Sequence, residues 1–161
     1  MEMKFTLEKK LDEGIEAVIY KSGTLVAKVL RNSENADSNS LQNIRERLTK
    51  EYEIARDLYN NRISVPKPFG VFDLPFEKQK LPAFVMQYID GKNLIELMES
   101  YKSARISLRL YEKTRELAAM EIEAAKKIGF VPYDANAKGN IMLSKSGKIY
   151  LIDFGMWQRI F

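Results

Sequence analysis

A lysine interrupts an apolar run near the N-terminus, Leu25-Val26-Ala27-Lys28-Val29-Leu30. Side chains alternate along a strand, so Val26, Lys28 and Leu30 share one face. A cation among such neighbours needs an exposed face, an edge position or an anionic partner. Taken alone, Lys28 reads as an edge or snorkelling lysine. Its functional reading is an ammonium aimed at phosphate, and such a lysine needs a carboxylate to hold it. Ile44, Leu48, Ala55 and Leu58 recur at helical spacing further on, and that helix offers Glu51 and Glu53. Glu51 falls on the face of Leu48, Ala55 and Leu58. Glu53 shares its face with Thr49, Lys50, Arg56 and Asp57 and should meet solvent. Glu51 is therefore the expected partner of Lys28.

The composition limits what chemistry can follow. At 161 residues the chain makes one domain or one small two-lobed unit, and 45% hydrophobic content supports a packed core. Without Cys there is no disulfide framework or thiolate site, and without His the commonest general base and zinc ligand is missing. Metal chemistry must use oxygen ligands, which favours Mg²⁺, Mn²⁺ or Ca²⁺. The net charge of +4 is spread over Lys9-Lys10, Arg45, Arg47 and Lys126-Lys127. It reads as a solvated surface and signals RNA contact only weakly. The start of the chain lacks the apolar core of a signal peptide, and no apolar run approaches the ~20 residues of a membrane span. A soluble, cytoplasmic protein with no membrane contact is expected.

The pattern along the chain is α+β. Residues 4–31 read as strands: Phe5 and Leu7 alternate with polar residues, and Ser22-Gly23 turns a hairpin. A polar loop over 32–40 precedes a helix from about Leu41 to Asn60, with Ser40 as its N-cap. Strand Phe69–Phe72, a turn over Asp73–Pro82 and a buried strand from Ala83 to Ile89 follow. Asn93–Tyr101 and about Ser107–Ile128 read as helices, the second stopped by Gly129. Its apolar stripe is Leu110, Leu117, Ala118, Ala124, Ala125 and Ile128, most simply core, with part left over for a dimer or partner surface.

The closing stretch carries the densest chemistry. Asp134 and Asn140 precede Ile141-Met142-Leu143, and Tyr150-Leu151-Ile152 runs into Asp153-Phe154-Gly155. Asn140 and Asp153 can offer oxygen to a divalent metal, and Asp134 can orient a hydroxyl. An Asn before one short apolar strand and an Asp-Phe-Gly after the next is the order used in kinase-type phosphoryl transfer. Near the N-terminus, Leu11-Asp12-Glu13-Gly14-Ile15-Glu16-Ala17-Val18-Ile19 has the frame of a glycine-rich loop. Small residues at Gly14 and Ala17 let backbone N–H groups approach phosphates. The plainer reading of Gly14 is a turn.

Together these segments resemble a minimal kinase of the Bud32 or RIO type, within the protein-kinase-like superfamily. Gly14–Tyr20, Lys50-Glu51-Tyr52, Val65-Pro66-Lys67-Pro68, Val85–Gly91, Asn140–Leu143 and Leu151–Gly155 carry the likeness, which spans about residues 7–157. It implies a two-lobed fold: an antiparallel sheet with one helix in residues 1–91, a hinge near 87–91, and a strongly reduced, mainly helical lobe over 92–161. It further implies that ATP and Mg²⁺ (or Mn²⁺) bind. Lys28 would contact the α- and β-phosphates and pair with Glu51, and Gly14 and Ala17 would cover the phosphates. Met86 would be the gatekeeper, and the Gln87 carbonyl and Ile89 amide would bond adenine. Leu11, Ile19, Val26 and Met142 would sandwich the ring. Asp134 would orient the attacking hydroxyl, and Asn140 and Asp153 would hold the metal.

The chain departs from that family in three places. Pro132-Tyr133 stands where His-Arg or His-Gly usually precedes the Asp. Asp134 and Asn140 are one position further apart than usual, which demands a bulge over Ala137–Gly139 or displaces Asp134. The chain also ends soon after Gly155, so it is expected to lack a peptide-docking groove, whether naturally minimal or truncated. The resemblance implies a serine/threonine-type kinase acting on a protein or small-molecule hydroxyl. The alternative is a pseudokinase or ATPase module serving as partner in a larger complex, such as a tRNA-modifying assembly.

Overall fold

The computed structural model describes residues 4–161, so residues 1–3 of the expected first lobe lie outside the described residues. The chain divides into two compact units. One takes the chain up to Glu53 together with Lys67–Tyr88, and the other Ile54–Pro66 together with Ile89–Phe161. The architecture is α+β, as the sequence pattern indicates.

The first unit is built on a five-stranded antiparallel sheet. Its strands are β1 (Lys10–Glu13), β2 (Ala17–Ser22), β3 (Leu25–Leu30), β4 (Pro68–Phe76) and β5 (Gln79–Gln87), in the order β1-β2-β3-β5-β4. β3 and β5 are nearly unbroken apolar runs because both of their faces are covered. On one face Ala27, Val29, Ala83 and Val85 pack with Tyr20, Leu74 and Leu81. Phe5 and Leu7 complete this core, but not as a strand: they lie in irregular chain, and the Leu7 amide donates to the Pro75 carbonyl. The opposite face meets helix α1 (Ser38–Asn60), where the Tyr52 ring stands edge-on to Phe84 at 6.0 Å.

Turn chemistry shifts several expected boundaries. Ser22 pairs with Leu25, so the β2–β3 turn is Gly23-Thr24, with Gly23 at φ 59°. The expected turn over Asp73–Pro82 is instead a long hairpin closed at Glu77-Lys78. Its two prolines suggested loop, yet each sits where no ladder N–H is needed. Pro75 is on edge strand β4, and Pro82 lies beyond the stretch of β5 that pairs with β3. Helix α1 begins before Ser40: the Asp37 carboxylate accepts the Ser40 amide at 2.8 Å, so Asp37 is the cap. Those hydrogen bonds from Ser40 hold the Asp37 carboxyl below its ordinary value. The cap therefore acts in full at neutral pH and fades as pH falls through the carboxylate range.

In the second unit a three-stranded sheet, β6 (Gly91–Asn93), β8 (Ile141–Ser144) and β9 (Ile149–Leu151), runs in the order β6-β8-β9. A two-stranded ribbon joins β7 (Phe130–Pro132) to β10 (Trp157–Arg159). Helix α2 (Leu94–Lys102) starts in a capping box between Asn93 and Glu96. Helix α3 (Leu108–Lys127) is capped by Ser107 and stopped by Gly129 at φ 98°. The buried stripe of α3 is Tyr111, Thr114, Ala118, Ile122 and Ala125. Only Ala118 and Ala125 of the expected stripe are fully buried, and Leu110 is exposed. Thr114 can occupy the core because its hydroxyl donates to the Leu110 carbonyl one turn back. Ser64 ties the chain after α1 into this unit: its amide donates to Glu121 at 3.0 Å and its carbonyl accepts the Leu151 amide at 2.8 Å. Among the described residues no helix is long and apolar enough to cross a membrane.

Gly91 is the position where the β6–β8 ladder leaves no room for a side chain: a Cβ there would stand 2.1 Å from the Leu143 carbonyl oxygen. Gly91→Ala should destabilise the protein by about 1–3 kcal/mol, as overpacking does. Gly14→Ala, whose Cβ would meet only the Ala17 carbonyl at 3.6 Å, should leave the urea midpoint nearly unchanged. Equal midpoints for the two variants would contradict the ladder.

Candidate functional site

The sheet of the first unit assembles one cluster. Ile19 pairs directly with Lys28 across β2–β3, and Val26 with Met86 across β3–β5. Directly paired residues share a face, so these four side chains project from the same side of the sheet. Ala17 joins them by alternation along β2. From α1, Glu51 meets Lys28 with both oxygens, each 2.9 Å from Nζ. The lysine side chain is 12% exposed and the glutamate 6%, so the pair is largely removed from solvent. Glu53 is exposed. The ion pair explains how a cation can lie in the apolar strand: its charge is compensated by a helix packed on that face.

The Gly14–Ala17 segment is a tight turn between β1 and β2, with the Gly14 amide donating to the Ala17 carbonyl at 2.9 Å. Arg31 holds this turn. Its guanidinium donates to the Gly14 carbonyl and lies 3.2 Å from Glu13, and its amide donates to the Glu16 carbonyl. Arg31 was not legible as a functional residue, since an arginine after a strand carries no pattern of its own. Ile15, at the tip of the turn, is 94% exposed. Leu11 falls in the irregularity between Lys10 and Asp12 and has no cross-strand partner, so it is not in register with Ile19 and Val26. Gln87 ends β5, where its amide donates to the Lys67 carbonyl and its side-chain oxygen accepts the Lys67 amide. Ile89 opens the second stretch of the other unit and is buried.

The second unit assembles the closing segment. A 3-10 turn over Lys138–Asn140 lies between Asp134 and β8. The Asp134 carbonyl accepts two bonds from this loop, from the Ala137 amide at 3.0 Å and from Asn140 Nδ2 at 3.2 Å. With Nδ2 so engaged, the other branch of the Asn140 amide, Oδ1, is the atom that can meet a ligand. The Asn140 carbonyl in turn accepts the Ile152 amide at 2.9 Å, which sets Asn140 beside the residue before Asp153. Asp153 is exposed and has φ 62°, in the left-handed region that few non-glycine residues enter. Strain of this kind persists only where neighbours impose it, and it concentrates at functional sites. Here the neighbours are aromatic. Phe154 is buried and stands edge-on to Trp157 at 5.3 Å, and Trp157 leans on Phe130. Met142 lies on β8 between Asn93 and Tyr150. Tyr133 is 65% exposed.

Comparison with protein families settles the relationship. The model of the ABC1 atypical kinase-like domain matches residues 77–161, more than half of the chain. The chain belongs to the ABC1 atypical kinase-like family. This places it in the protein-kinase-like superfamily, as the sequence motifs indicate, but the match is to ABC1 and gives no support to the Bud32 or RIO type in particular. No curated protein matches the chain. The ABC1 match contains Met86, Gln87, Ile89, Asp134, Asn140, Met142 and Asp153, while Lys28 and Glu51 lie outside it.

The ion pair can be tested apart from any activity. Removing one partner of a buried pair costs about 3–5 kcal/mol, because the other charge stays behind. Glu51→Leu and Lys28→Met should each lower stability in urea by an amount of that order. The double variant should recover much of the loss. Additive losses would show that the two charges do not depend on each other.

Proposed function

We propose that this ABC1-family chain binds ATP with Mg²⁺ or Mn²⁺ and transfers the γ-phosphoryl group to a hydroxyl of a protein or small molecule. The observation that carries this reading is the arrangement of Asn140 and Asp153. The Ile152 amide donates to the Asn140 carbonyl, which sets the Asn140 backbone next to the residue before Asp153, and Asp153 has a left-handed backbone. Among the described residues no group of three or more Asp, Glu, His or Cys could hold a metal by itself. That suits Mg²⁺, which is usually held by one or two protein oxygens together with phosphate oxygens and water. When bound, the ion would neutralise charge on the phosphates.

The sheet unit acts as the nucleotide-binding lobe in this reading, and residues after about 91 act as the reduced lobe. Lys28, held by Glu51, offers its ammonium to the phosphates. Gly14, Ala17 and their neighbours offer backbone donors. Ile19, Val26 and Met86 present an apolar surface for a purine ring. Gln87 and Ile89 offer backbone groups to its edge. Asp134 orients the acceptor hydroxyl and takes its proton. The bond from acceptor oxygen to the γ-phosphorus forms as the bond to the β,γ-bridging oxygen breaks. Most of the acceleration comes from positioning and charge compensation.

A second reading is a pseudokinase or ATPase module that works as a partner subunit. It is favoured by Pro132-Tyr133 before Asp134 and by the 3-10 turn after it, which alter the loop that presents the acceptor group.

One pair of measurements separates these readings. A ligand bound only to the native state at about a hundredfold its Kd adds ~2.7 kcal/mol of stability. ATP with Mg²⁺ should therefore raise the melting temperature of the wild type, and Asp153→Ala should lose the metal-dependent part. Transfer of label from γ-labelled ATP should occur in the wild type and disappear in Asp134→Ala. Stabilisation without transfer supports the second reading, and no stabilisation with any divalent metal sinks both.

A further inference from the structure

The face of the first unit's sheet opposite Lys28 holds a cavity of about 470 Å³ that the reaction does not use. Its floor is apolar, formed by Val18, Val29 and Leu81, with Tyr20 among them. Tyr20 is 5% exposed, yet among the described residues its hydroxyl makes no hydrogen bond. The Tyr20 hydroxyl faces the cavity with no protein partner among those residues, so it is open to a group bound there. The rim is charged. Glu13, Glu34 and Glu77 supply carboxylates, and Lys10 and Arg31 supply cations.

These charges do not cancel evenly. Arg31 lies 3.2 Å from Glu13 and Lys10 lies 4.0 Å from it, so both cations are drawn to the same carboxylate. Glu34 and Glu77 have no ion pair among the described residues. The Glu34 backbone is held in place, since its carbonyl accepts Gln79 Nε2 at 3.1 Å. Burial pushes the Tyr20 phenol upward in pKa, and the Glu34 and then Glu13 charges push it further. The hydroxyl thus stays protonated beside negative groups, able to donate to one group and accept from another. A metal ion is a poor match, because these carboxylates do not converge as a metal-binding group.

We propose that this cavity binds an organic cation, a guanidinium or ammonium group on an apolar stem. The stem lies over Val18, Val29 and Leu81. The charged head meets Glu34 and Glu77, and the Tyr20 hydroxyl accepts one of its N–H bonds. Charge-assisted bonds of this kind are stronger than neutral ones and give the site its selectivity. The site is independent of the nucleotide reading, since it is built on the other face of the sheet.

The test is calorimetric titration of the full chain with three probes: N-acetyl-argininamide, agmatine and the uncharged N-acetyl-norleucinamide. Saturable binding of either cation in the range of about 1 mM is expected. The doubly substituted Glu34→Gln, Glu77→Gln protein should bind at least about tenfold more weakly. Tyr20→Phe should bind about threefold more weakly while melting no lower than the wild type, because it removes a hydroxyl with no partner to lose. Tighter binding of the argininamide assigns the cation to a peptide, and tighter binding of agmatine assigns it to a free amine; both support the site. No saturable binding of either cation up to about 10 mM, equal binding of the norleucine compound, or an affinity unchanged in the double glutamine variant would overturn it. A large loss of melting temperature in Tyr20→Phe would also overturn it, by showing that the hydroxyl serves the fold.

Discussion

The Lys28–Glu51 ion pair is the constraint on which the first unit turns. A strand with apolar residues on both faces can be covered on both sides only if the cation it carries is compensated. The helix that covers one face brings the compensating carboxylate at the position where its own apolar stripe would otherwise continue. The pair thereby sets the rotation of α1 about its axis. Leu48 is buried along with Glu51, and Glu53 is exposed. Ion pairs of this kind rarely add stability over an apolar pair. Holding a lysine ammonium at a chosen place on the sheet is the more economical reason to keep one.

The second unit solves a different problem, which is to hold together short segments that have little regular structure. It does so with backbone hydrogen bonds. The Asp134 carbonyl gathers Ala137 and Asn140, and the Asn140 carbonyl gathers Ile152. The positive φ of Asp153 follows from this crowding and from the buried Phe154 beside it. An Asp tolerates such a conformation better than most residues, because its short polar side chain finds local partners such as the Gly155 amide.

Much of this was readable from residue order. The α+β class, the helices and the face of α1 followed from periodicity and local chemistry, although the cap of α1 falls at Asp37 and not at the expected Ser40. These are properties of neighbours in sequence. The kinase-like character was legible because several weak motifs occurred in one order. The branch of the superfamily was not, since the motifs used are shared across branches and only the match over residues 77–161 distinguishes ABC1. The β4–β5 hairpin was misread as a turn, because Pro75 and Pro82 look like breakers until the strand order shows that neither interrupts a ladder. The stripe of α3 was placed one position off at Leu110. Tyr111 and Thr114 face inward instead, which a count of apolar residues could not foresee for a threonine.

The amino-acid order settled which local structures form and which side chains carry charge or oxygen, because those depend on propensities and spacings within a few residues. Tertiary packing alone decided that Arg31 clamps the Gly14 turn. It alone placed Asp153 in the left-handed region and left the Tyr20 hydroxyl over a cavity. Each of these depends on how segments distant in sequence pack together, and no spacing along the chain encodes that packing.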